Sequence, residues 1–242
     1  MSVTKGGSNI CGVSIGVLSL ESYFPKPPGH IKNPSSLPYT LSYEIIEGLT
    51  VPNLLNNPSP EMLEPLLVSA RRLEKAGVKA ITGSCGFLAL FQNDIAGAVE
   101  IPVCVSALLM APMIHTMTAR PVGVITASSK ALTEAHLAAA GAAHVPLVVE
   151  GMEHSSEFSE VILQGARQDM DLALIEADLI AAGQRLIARA PQVGAVLLEC
   201  TDLPPYAAPL QQAIARPVFD ITTLTSMVHS AVLRTPFSGF IH

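Results

Sequence analysis

An internal duplication constrains the fold of this chain more than any other feature of its sequence. When the sequence is shifted by 115 residues, Cys85 coincides with Cys200, and apolar positions on both sides coincide as well. The matched positions are Val78, Ala80, Ile81, Pro102, Val103 and Leu109, which coincide with Val193, Ala195, Val196, Pro217, Val218 and Leu224. Duplicated halves usually pack around a pseudo-two-fold axis with a cleft between them. The sequence therefore predicts two lobes, each with one cysteine facing that cleft.

The composition is typical of an α/β protein with a substantial core. Of the 242 residues, 49% are apolar and 14% are charged. The formal charge of −6 comes without a basic cluster, so we expect no nucleic-acid partner. The best candidate for a membrane span, 101–114, is interrupted by Pro102, Ser106 and Pro112, so we expect no membrane association. Four cysteines without CxxC spacing, and a start of the chain without a signal-peptide pattern, predict a cytoplasmic, reduced protein.

Strand and helix patterns alternate along the chain, which predicts parallel sheets flanked by helices. The predicted strands are 13–19, 78–84, 101–105, 121–126, 145–149, 194–199 and 217–221. The predicted helices are 61–76, 87–99, 108–117, 130–140, 170–190, 206–215 and 224–233. Residues 20–60 are rich in proline and predict a long loop or lid with one short strand.

The duplication also predicts where the two lobes divide. We expect an N-terminal lobe over residues 1–118 that carries Cys85 and a C-terminal lobe over 119–242 that carries Cys200. The last predicted helix is expected to pack back on the first lobe. The substrate site is expected in the cleft between the lobes.

Cys85 and Cys200 each follow a predicted buried strand and precede a predicted helix. Open α/β sheets bind ligands at the carboxyl ends of their strands, and a helix start holds carboxylates and favours thiolate over thiol. A thiol pair across a cleft can take a proton from one face of a carbon and return one to the other. Cys11 and Cys104 lack this context and are interpreted as small apolar residues. No metal site is predicted, because the cysteines and histidines lack ligand spacing.

Polar residues at the same strand ends are candidates for binding a substrate carboxylate and stabilising the carbanion. They are Ser19, Ser84, Gly86, Phe87, Thr126, Ser128, Thr201 and Asp202. Each hydroxyl has an alternative interpretation as a cap or turn former, and Ser128 in particular precedes the predicted helix at 130. Asp202 either caps a helix or orients or repels the substrate. Lys26, His30 and Lys32 belong either to a lid that contacts the substrate or to a solvated loop.

Two segments around the cysteines resemble a known family. Residues 83–87 (Gly-Ser-Cys-Gly-Phe) and 198–206 (Leu-Glu-Cys-Thr-Asp-Leu-Pro-Pro-Tyr) resemble the two cysteine motifs of the aspartate/glutamate/hydantoin racemase superfamily. The resemblance extends to 123–128 and 217–221. It implies two pseudo-symmetric α/β lobes, no cofactor, a homodimer or higher homo-oligomer, and Cys85 and Cys200 as an acid/base pair of one thiolate and one thiol.

The chain also departs from the glutamate racemase pattern. Gly86 and Phe87 stand where that pattern has Asn-Thr, Asp202 replaces a histidine, and Ser19 has no aspartate beside it. Glutamate specificity is therefore not implied. The substrate is expected to be a small carboxylate.

The residues and the resemblance together predict a cofactor-independent racemase or epimerase of an amino acid or a close derivative, an isomerase. Three enzymatic alternatives stay open: a decarboxylase or a cis–trans isomerase of small dicarboxylic acids, and a hydantoin racemase. A non-catalytic protein that binds a small ligand is a further alternative.

Overall fold

The computed structural model of the protein describes residues 6–241 and contains two four-stranded parallel β-sheets. The strands of the first sheet are Ile15–Glu21 (β1), Leu41–Thr50 (β2), Ala80–Gly83 (β3) and Val103–Cys104 (β4). The strands of the second are Val122–Thr126 (β5), Leu147–Gly151 (β6), Ala195–Leu198 (β7) and Val218–Phe219 (β8). The strand orders, β2-β1-β3-β4 and β6-β5-β7-β8, are equivalent. The predicted α/β fold with two related sheets is thereby confirmed.

The pairing of the central strands is also equivalent in the two sheets. Ile15 of β1 pairs with Ala80 of β3, and Val122 of β5 pairs with Ala195 of β7. Each register consists of four residue pairs, including this first one. Strands β3 and β7 therefore end at the same position relative to β1 and β5. This register places the residues that follow β3 and β7, which include the two cysteines, at the carboxyl ends of equivalent strands.

Helices cover both sheets. The α-helices are Val51–Asn56 (α1), Leu63–Ala76 (α2), Gln92–Gly97 (α3), Ala111–Thr118 (α4), Glu134–Ala139 (α5), Ser156–Phe158 (α6), Leu172–Arg189 (α7), Ala207–Ile214 (α8) and Ile221–Val232 (α9). Short 3₁₀ segments are Pro60–Met62, Gly86–Phe91, Ala107–Met110 and Pro204–Tyr206, and a π-helical turn spans Ser159–Leu163. None of the helices within residues 6–241 combines the length and apolar character needed to cross a bilayer.

Helix α2 shows how local sequence sets these elements. Its buried residues Leu66, Ala70 and Leu73 recur at helical spacing and face the sheet. The helix ends at Gly77, whose φ of 115° is a left-handed conformation that glycine adopts without a steric penalty. The predicted helix over 61–76 therefore agrees with the structure apart from its first turn, which is 3₁₀.

The last helix of each half packs on the other half's sheet. Helix α4 contacts β5 and β7, and helix α9 contacts β3. The hydroxyl oxygens of Thr225 in α9 and Thr82 in β3 lie 3.1 Å apart in the buried interior. One apolar core cluster includes Leu18 of the first half and Leu210 of the second. The boundary at residue 118 remains a prediction.

The structure differs from the sequence-based expectation in three segments. Within 20–60 the predicted short strand is the ten-residue β2, and α1 follows it directly. The segment after Cys85 begins as a 3₁₀ helix rather than an α-helix. Helix α6 and the π-helical turn occupy a region for which no element was predicted, because 156–163 is too short to show a helical period.

Candidate active site

Cys85 lies directly beyond β3 and is the N-cap of the 3₁₀ segment Gly86–Phe91. Its side chain is buried, with 7% exposed. The backbone N–H groups of Phe87 and Leu88 donate hydrogen bonds to its sulfur, as a helix start does to an anion. The predicted arrangement of strand, cysteine and helix start is therefore present in the first half.

Cys200 occupies the corresponding place beyond β7 and is also buried. Its thiol donates a hydrogen bond to Asp202 Oδ2 over 3.4 Å. The other carboxylate oxygen of Asp202, Oδ1, lies 2.7 Å from His30 Nε2. The Lys32 backbone N–H donates to His30 Nδ1, so the ring proton is on Nε2 and is donated to Asp202. His30, Asp202 and Cys200 therefore form a hydrogen-bonded chain that joins the two halves.

The residues around Cys85 and the residues around Cys200, here called the two cysteine loops, contact each other. The Thr201 hydroxyl donates a 2.5 Å hydrogen bond to the Ser84 carbonyl oxygen. A Cβ atom on Gly86 would overlap the carboxyl group and the carbonyl oxygen of Glu199. Ionisation of Cys85 raises the pKa of Cys200, as expected for neighbouring thiols. Glycine at 86 is thus required by the close approach of the second half.

Both thiols are held protonated at neutral pH. Burial is the largest cause that raises the pKa of Cys85, followed by the Glu199 charge, and the two backbone N–H groups only partly oppose them. Burial also raises the pKa of Cys200, and the charges of Asp202 and Glu199 add to it. The backbone N–H groups at the helix starts do lower the pKa of both thiols, as expected, but desolvation and the two carboxyl groups outweigh them.

Glu199 is a functional candidate that the sequence analysis missed. Its side chain is fully buried, and Oε2 accepts hydrogen bonds from the Thr126 hydroxyl, at 2.8 Å, and from the Ala127 backbone N–H. Oε1 has no hydrogen-bond partner among the described residues. Burial raises the carboxyl pKa to about 7. The available signal was an acidic residue at the end of the apolar run 193–198.

Tyr206 is a second missed residue. It closes the 3₁₀ segment Pro204–Tyr206, its side chain is buried, and its hydroxyl has no hydrogen-bond partner among the described residues. Burial and the Asp202 charge raise the Tyr206 pKa to about 12, so the hydroxyl is a free donor near that carboxylate. A buried hydroxyl without a partner is costly, which is typical of groups that bind a ligand.

Residues 22–40, here called the 22–40 loop, pack in part against the second half of the chain. His30 and Ile31 are buried, and Gly29 packs against Pro205 of the second half. Lys32 Nζ donates to the Leu20 carbonyl oxygen and to Ser22 Oγ. The interpretation as a solvated loop therefore does not hold for His30, and contact of this segment with a substrate stays a prediction.

The loop brings two lysines to the site. Burial lowers the pKa of Lys26 to about 8 and also lowers that of Lys32, while the Asp202 charge opposes the shift at both. Lys26 Nζ donates to the Ser22 and Phe24 carbonyl oxygens and lies 4.1 Å from the Phe24 ring centre. The site thus holds cationic groups on the loop and carboxyl groups beside the thiols.

A cavity of about 270 Å³ adjoins the 22–40 loop, between the loop and the second half. Ser22, Phe24 and Ile162 are among its lining residues, and neither cysteine is. Ser22 also bonds both lysines. The cavity is therefore connected to the two lysines through Ser22, and neither lysine lines it.

The remaining predicted site residues have partners within the protein. The Ser84 hydroxyl accepts from the Leu20 backbone N–H, and the Ser19 hydroxyl lies 3.5 Å from the Leu20 carbonyl oxygen. The Phe87 ring packs edge-on against His136. Ser128 Oγ accepts from the backbone N–H of residue 131, which agrees with its interpretation as a turn former. Substrate contact by these residues stays a prediction.

Comparison with known proteins reveals the family. Residues 34–227 match the profile of the family described as Asp/Glu/Hydantoin racemase. In solved structures, the chain is similar to a putative Asp/Glu racemase from Yersinia pestis, with a TM-score of 0.60, 15% identity and coverage of 92% of this chain and 100% of that one. It is also similar to unliganded arylmalonate decarboxylase, with a TM-score of 0.58, 16% identity and coverage of 91% and 92%. These identities show the fold alone.

Curated relatives are named for a different reaction class. The chain is 34% identical over 238 residues to dimethylsulfoniopropionate lyase 5 of Emiliania huxleyi (strain CCMP1516), covering 93% of this chain and 47% of the relative. It is 29% identical over 221 residues to a dimethylsulfoniopropionate lyase of Durusdinium sp. clade D, covering 88% and 72%. The chain thus spans about half the length of the first relative. The predicted isomerase acting as an amino-acid racemase or epimerase is wrong, because these relatives are lyases.

Proposed function

The chain belongs to the Asp/Glu/hydantoin racemase family, and from this premise we propose that it is a lyase that cleaves dimethylsulfoniopropionate or a close β-sulfonio carboxylate. The family supplies the scaffold for proton removal beside a carboxylate, and the names of the relatives supply the reaction class. A lyase on this fold was already among the alternatives, although as a decarboxylase.

The proposed reaction is a β-elimination. A base removes one proton from the carbon next to the substrate carboxylate, the electron pair forms the carbon–carbon double bond, and the carbon–sulfur bond breaks. The products are dimethyl sulfide, acrylate and one proton. Dimethyl sulfide leaves as a neutral molecule, so no acid is needed to protonate the leaving group. The protein must therefore supply one base, a carboxylate-binding group and a site for a sulfonium cation.

A single observation carries the proposal: the buried thiols lie beside carboxyl groups, and the charge of one of these, Asp202, also acts on two lysines of the 22–40 loop. Asp202 and Glu199 supply negative charge at the thiols, and Lys26 and Lys32 supply positive charge on the 22–40 loop. The substrate has a sulfonium cation at one end and a carboxylate at the other. In this proposal the Asp202 carboxylate binds the sulfonium and the lysines bind the substrate carboxylate, because opposite charges attract strongly in a desolvated site.

Cys85 is proposed as the base. Its sulfur accepts two backbone N–H hydrogen bonds, which stabilise the thiolate. The Cys200 sulfur accepts one, from Asp202, and its thiol donates to the Asp202 carboxylate, which holds it protonated. A sulfonium bound at Asp202 would offset one of the charges that raise the pKa of Cys85, so the Cys85 thiol would lose its proton more readily. The base would thus be formed only when substrate is present.

In this proposal the 22–40 loop excludes water from the site. His30 and Gly29 hold the loop against the second half through Asp202 and Pro205. Opening of the loop would admit substrate from the adjoining cavity, and closure would bury the thiols again. Exclusion of water strengthens the electrostatic attraction on which the elimination depends.

The experiment is to incubate the purified protein with dimethylsulfoniopropionate and to quantify dimethyl sulfide in the headspace and acrylate by proton NMR. We expect equal amounts of both products. A Cys85→Ser variant should lose this activity. A Cys104→Ser variant is the matched control, because Cys104 is also buried but its thiol bonds the Ile81 carbonyl oxygen and the Thr82 side chain, away from Glu199 and Asp202, and it should retain activity.

Absence of both products from the wild-type protein would rule out the proposed reaction. Carbon dioxide release from an α-substituted malonate under the same conditions would support the decarboxylase alternative instead. Two further predictions accompany the proposal: a homo-oligomer, measured by light scattering, and a cytoplasmic location.

A further inference from the structure

The elimination leaves one buried titratable group without a role, the carboxyl group of Glu199. It lies at the end of β7, between the two cysteine loops and in contact with Gly86, the neighbour of Cys85 in the chain. One oxygen is bonded to Thr126, and the other, Oε1, is fully buried without a partner among residues 6–241. An unpaired buried carboxyl oxygen is costly and indicates that a proton or a donor group reaches it during function.

The groups that face Glu199 define what it can exchange protons with. Thr126 and the Ala127 backbone N–H donate to it and lower its pKa, and the negative charge of Asp202 raises it. Its own charge raises the pKa of both Cys85 and Cys200. No lysine acts on it directly among the causes that shift its pKa. The thiol of Cys85, reached past Gly86, is therefore a natural proton partner for Oε1.

We propose that Glu199 is the proton relay for Cys85, accepting the thiol proton when substrate is bound and passing it to water when the cleft opens. This inference rests on the proposed function. Glu199 acts through Cys85 and is a positioning residue, since it is not required to touch the substrate.

The protons taken up and released balance over one turnover. The Cys85 thiol gives its proton to the Glu199 carboxylate and becomes a thiolate. The thiolate takes the proton from the substrate carbon, the double bond forms, and dimethyl sulfide leaves. Cys85 is again a thiol, Glu199 carries one proton, and that proton leaves to solvent after the 22–40 loop opens. The single proton released by the elimination thus exits through Glu199.

The environment of Glu199 suits this role. A relay works best when its pKa lies near the working pH, and burial raises the pKa of this carboxyl to about 7. Gly86 has no side chain, so no group separates the carboxyl from the Cys85 loop. An acid of ordinary pKa would hold the proton too weakly to accept it from a thiol.

The test is the pH dependence of kcat/KM for dimethylsulfoniopropionate in four proteins. In the wild type, kcat/KM should rise with pH through about 7 as Glu199 loses its proton. In Glu199→Gln that rise should disappear, and activity at pH 8 should fall about 100-fold, within the range typical of lost proton transfer. Thr126→Val removes a hydrogen bond that lowers the Glu199 pKa, so the midpoint should move upward by roughly 0.5 to 1 pH unit.

Thr82→Val is the matched control. Thr82 is a buried threonine at the end of β3 whose hydroxyl bonds Thr225 and the Cys104 carbonyl oxygen, not Glu199. It should leave the midpoint where it is. If Glu199→Gln keeps the rise near pH 7, or if Thr126→Val and Thr82→Val move the midpoint equally, the relay is refuted while the lyase activity stands.

Failure of the proposed function itself is recognised separately, because the wild type would then release no dimethyl sulfide. In that case the proton-relay role of Glu199 is tested by measuring the rate at which iodoacetamide alkylates Cys85, with mass spectrometry as the readout. Since the Glu199 charge raises the pKa of Cys85, Glu199→Gln should be alkylated about tenfold faster at pH 8. Equal rates in the two proteins would overturn the relay.

Discussion

The two cysteine loops occupy equivalent places in two matching sheets, yet they differ in charge and in hydrogen bonding. The loop of Cys85 has no charged residue from 83 to 91, and its sulfur accepts backbone N–H groups. The loop of Cys200 is flanked by Glu199 and Asp202, and its thiol donates to one of these carboxylates. Glycine at 86 corresponds to threonine at 201 under the 115-residue shift.

This difference shows how a duplicated scaffold acquires two distinct chemical positions. Equivalent register puts both sulfurs at the carboxyl ends of strands, the position at which open α/β sheets bind ligands. The side chains around each sulfur then decide its protonation. The carboxyl groups of the second loop also act on Cys85, because the loops are in contact. In the proposed mechanism, one loop thus presents the base, and the carboxyl groups of the other loop control when the base forms.

The largest expected effect on activity comes from replacing the cysteines, and it distinguishes the roles of the two thiols. Cys85→Ser should lower the rate of dimethyl sulfide release about 1000-fold or more, because a serine hydroxyl is a far weaker acid than a thiol. Cys200→Ser should lower it only about 10- to 100-fold, since that thiol is not the base. The measurement is kcat/KM by headspace gas chromatography. The reverse order of the two losses would exchange the assigned roles.

Gly86→Ala tests the close contact between the loops. The added Cβ would overlap Glu199, so we expect the free energy of unfolding to fall by about 2 to 3 kcal/mol. Gly97→Ala is the control, because a Cβ there meets nothing within 4 Å and the residue is helical. It should leave stability unchanged or raise it by about 0.5 kcal/mol. Urea unfolding measures both, and equal effects would mean that the loops are not in contact.

Asp202→Asn tests the control exerted by the second loop. Without this charge the Cys200 pKa should fall, so alkylation of Cys200 at pH 8 should become about tenfold faster. The rate of dimethyl sulfide release should fall about tenfold, because the sulfonium site and the anchor for His30 are weakened. Mass spectrometry identifies the alkylated cysteine.

Asp220→Asn is the matched control for that variant. Asp220 is also buried, but it caps α9 through the backbone N–H groups of Thr222 and Thr223 and has no bond to a cysteine. Asparagine caps helices nearly as well as aspartate, so neither alkylation nor activity should change. A similar acceleration of Cys200 alkylation in both variants would show that opening of the protein, and not the Asp202 charge, controls the thiol.

The smallest effect compares a tyrosine hydroxyl in each half. Tyr206→Phe should leave the free energy of unfolding unchanged or raise it by about 1 kcal/mol, because the removed hydroxyl has no partner among the described residues. Tyr43→Phe should lower it by about 1 kcal/mol, since the Tyr43 hydroxyl donates to the Ile31 carbonyl oxygen. Urea unfolding distinguishes them. A loss of stability in Tyr206→Phe equal to that in Tyr43→Phe would argue against a hydroxyl kept free for a ligand.

The reaction class could not be predicted from the sequence motifs. Removal of a proton beside a carboxylate is common to racemases and to eliminating lyases, so the cysteine motifs alone do not separate them. What separates them is the fate of the carbanion, which depends on whether the substrate has a leaving group. The two thiols favoured racemisation in the sequence analysis, and the lyases among the relatives correct that prediction.

The site was predictable in part. The sequence predicted that Cys85, Cys200, Thr201 and Gly86 lie together at strand ends, because the carboxyl ends of strands in parallel sheets are places where ligands bind. The contact between His30 and Asp202 was not predicted, because it joins residues 172 positions apart through an irregular loop. Glu199 was also missed, since nothing in a linear sequence tells whether an acid after an apolar run is buried or solvated.

By itself, the sequence determined the two related sheets and the positions of the two thiols along the chain, because apolar periodicity and repetition are local patterns that a strand or helix must obey. Only the tertiary structure decided which charges surround those thiols, since protonation depends on burial and on neighbours brought from distant parts of the chain. The same two cysteines are chemically unequal because Glu199 and Asp202 belong to only one of their loops.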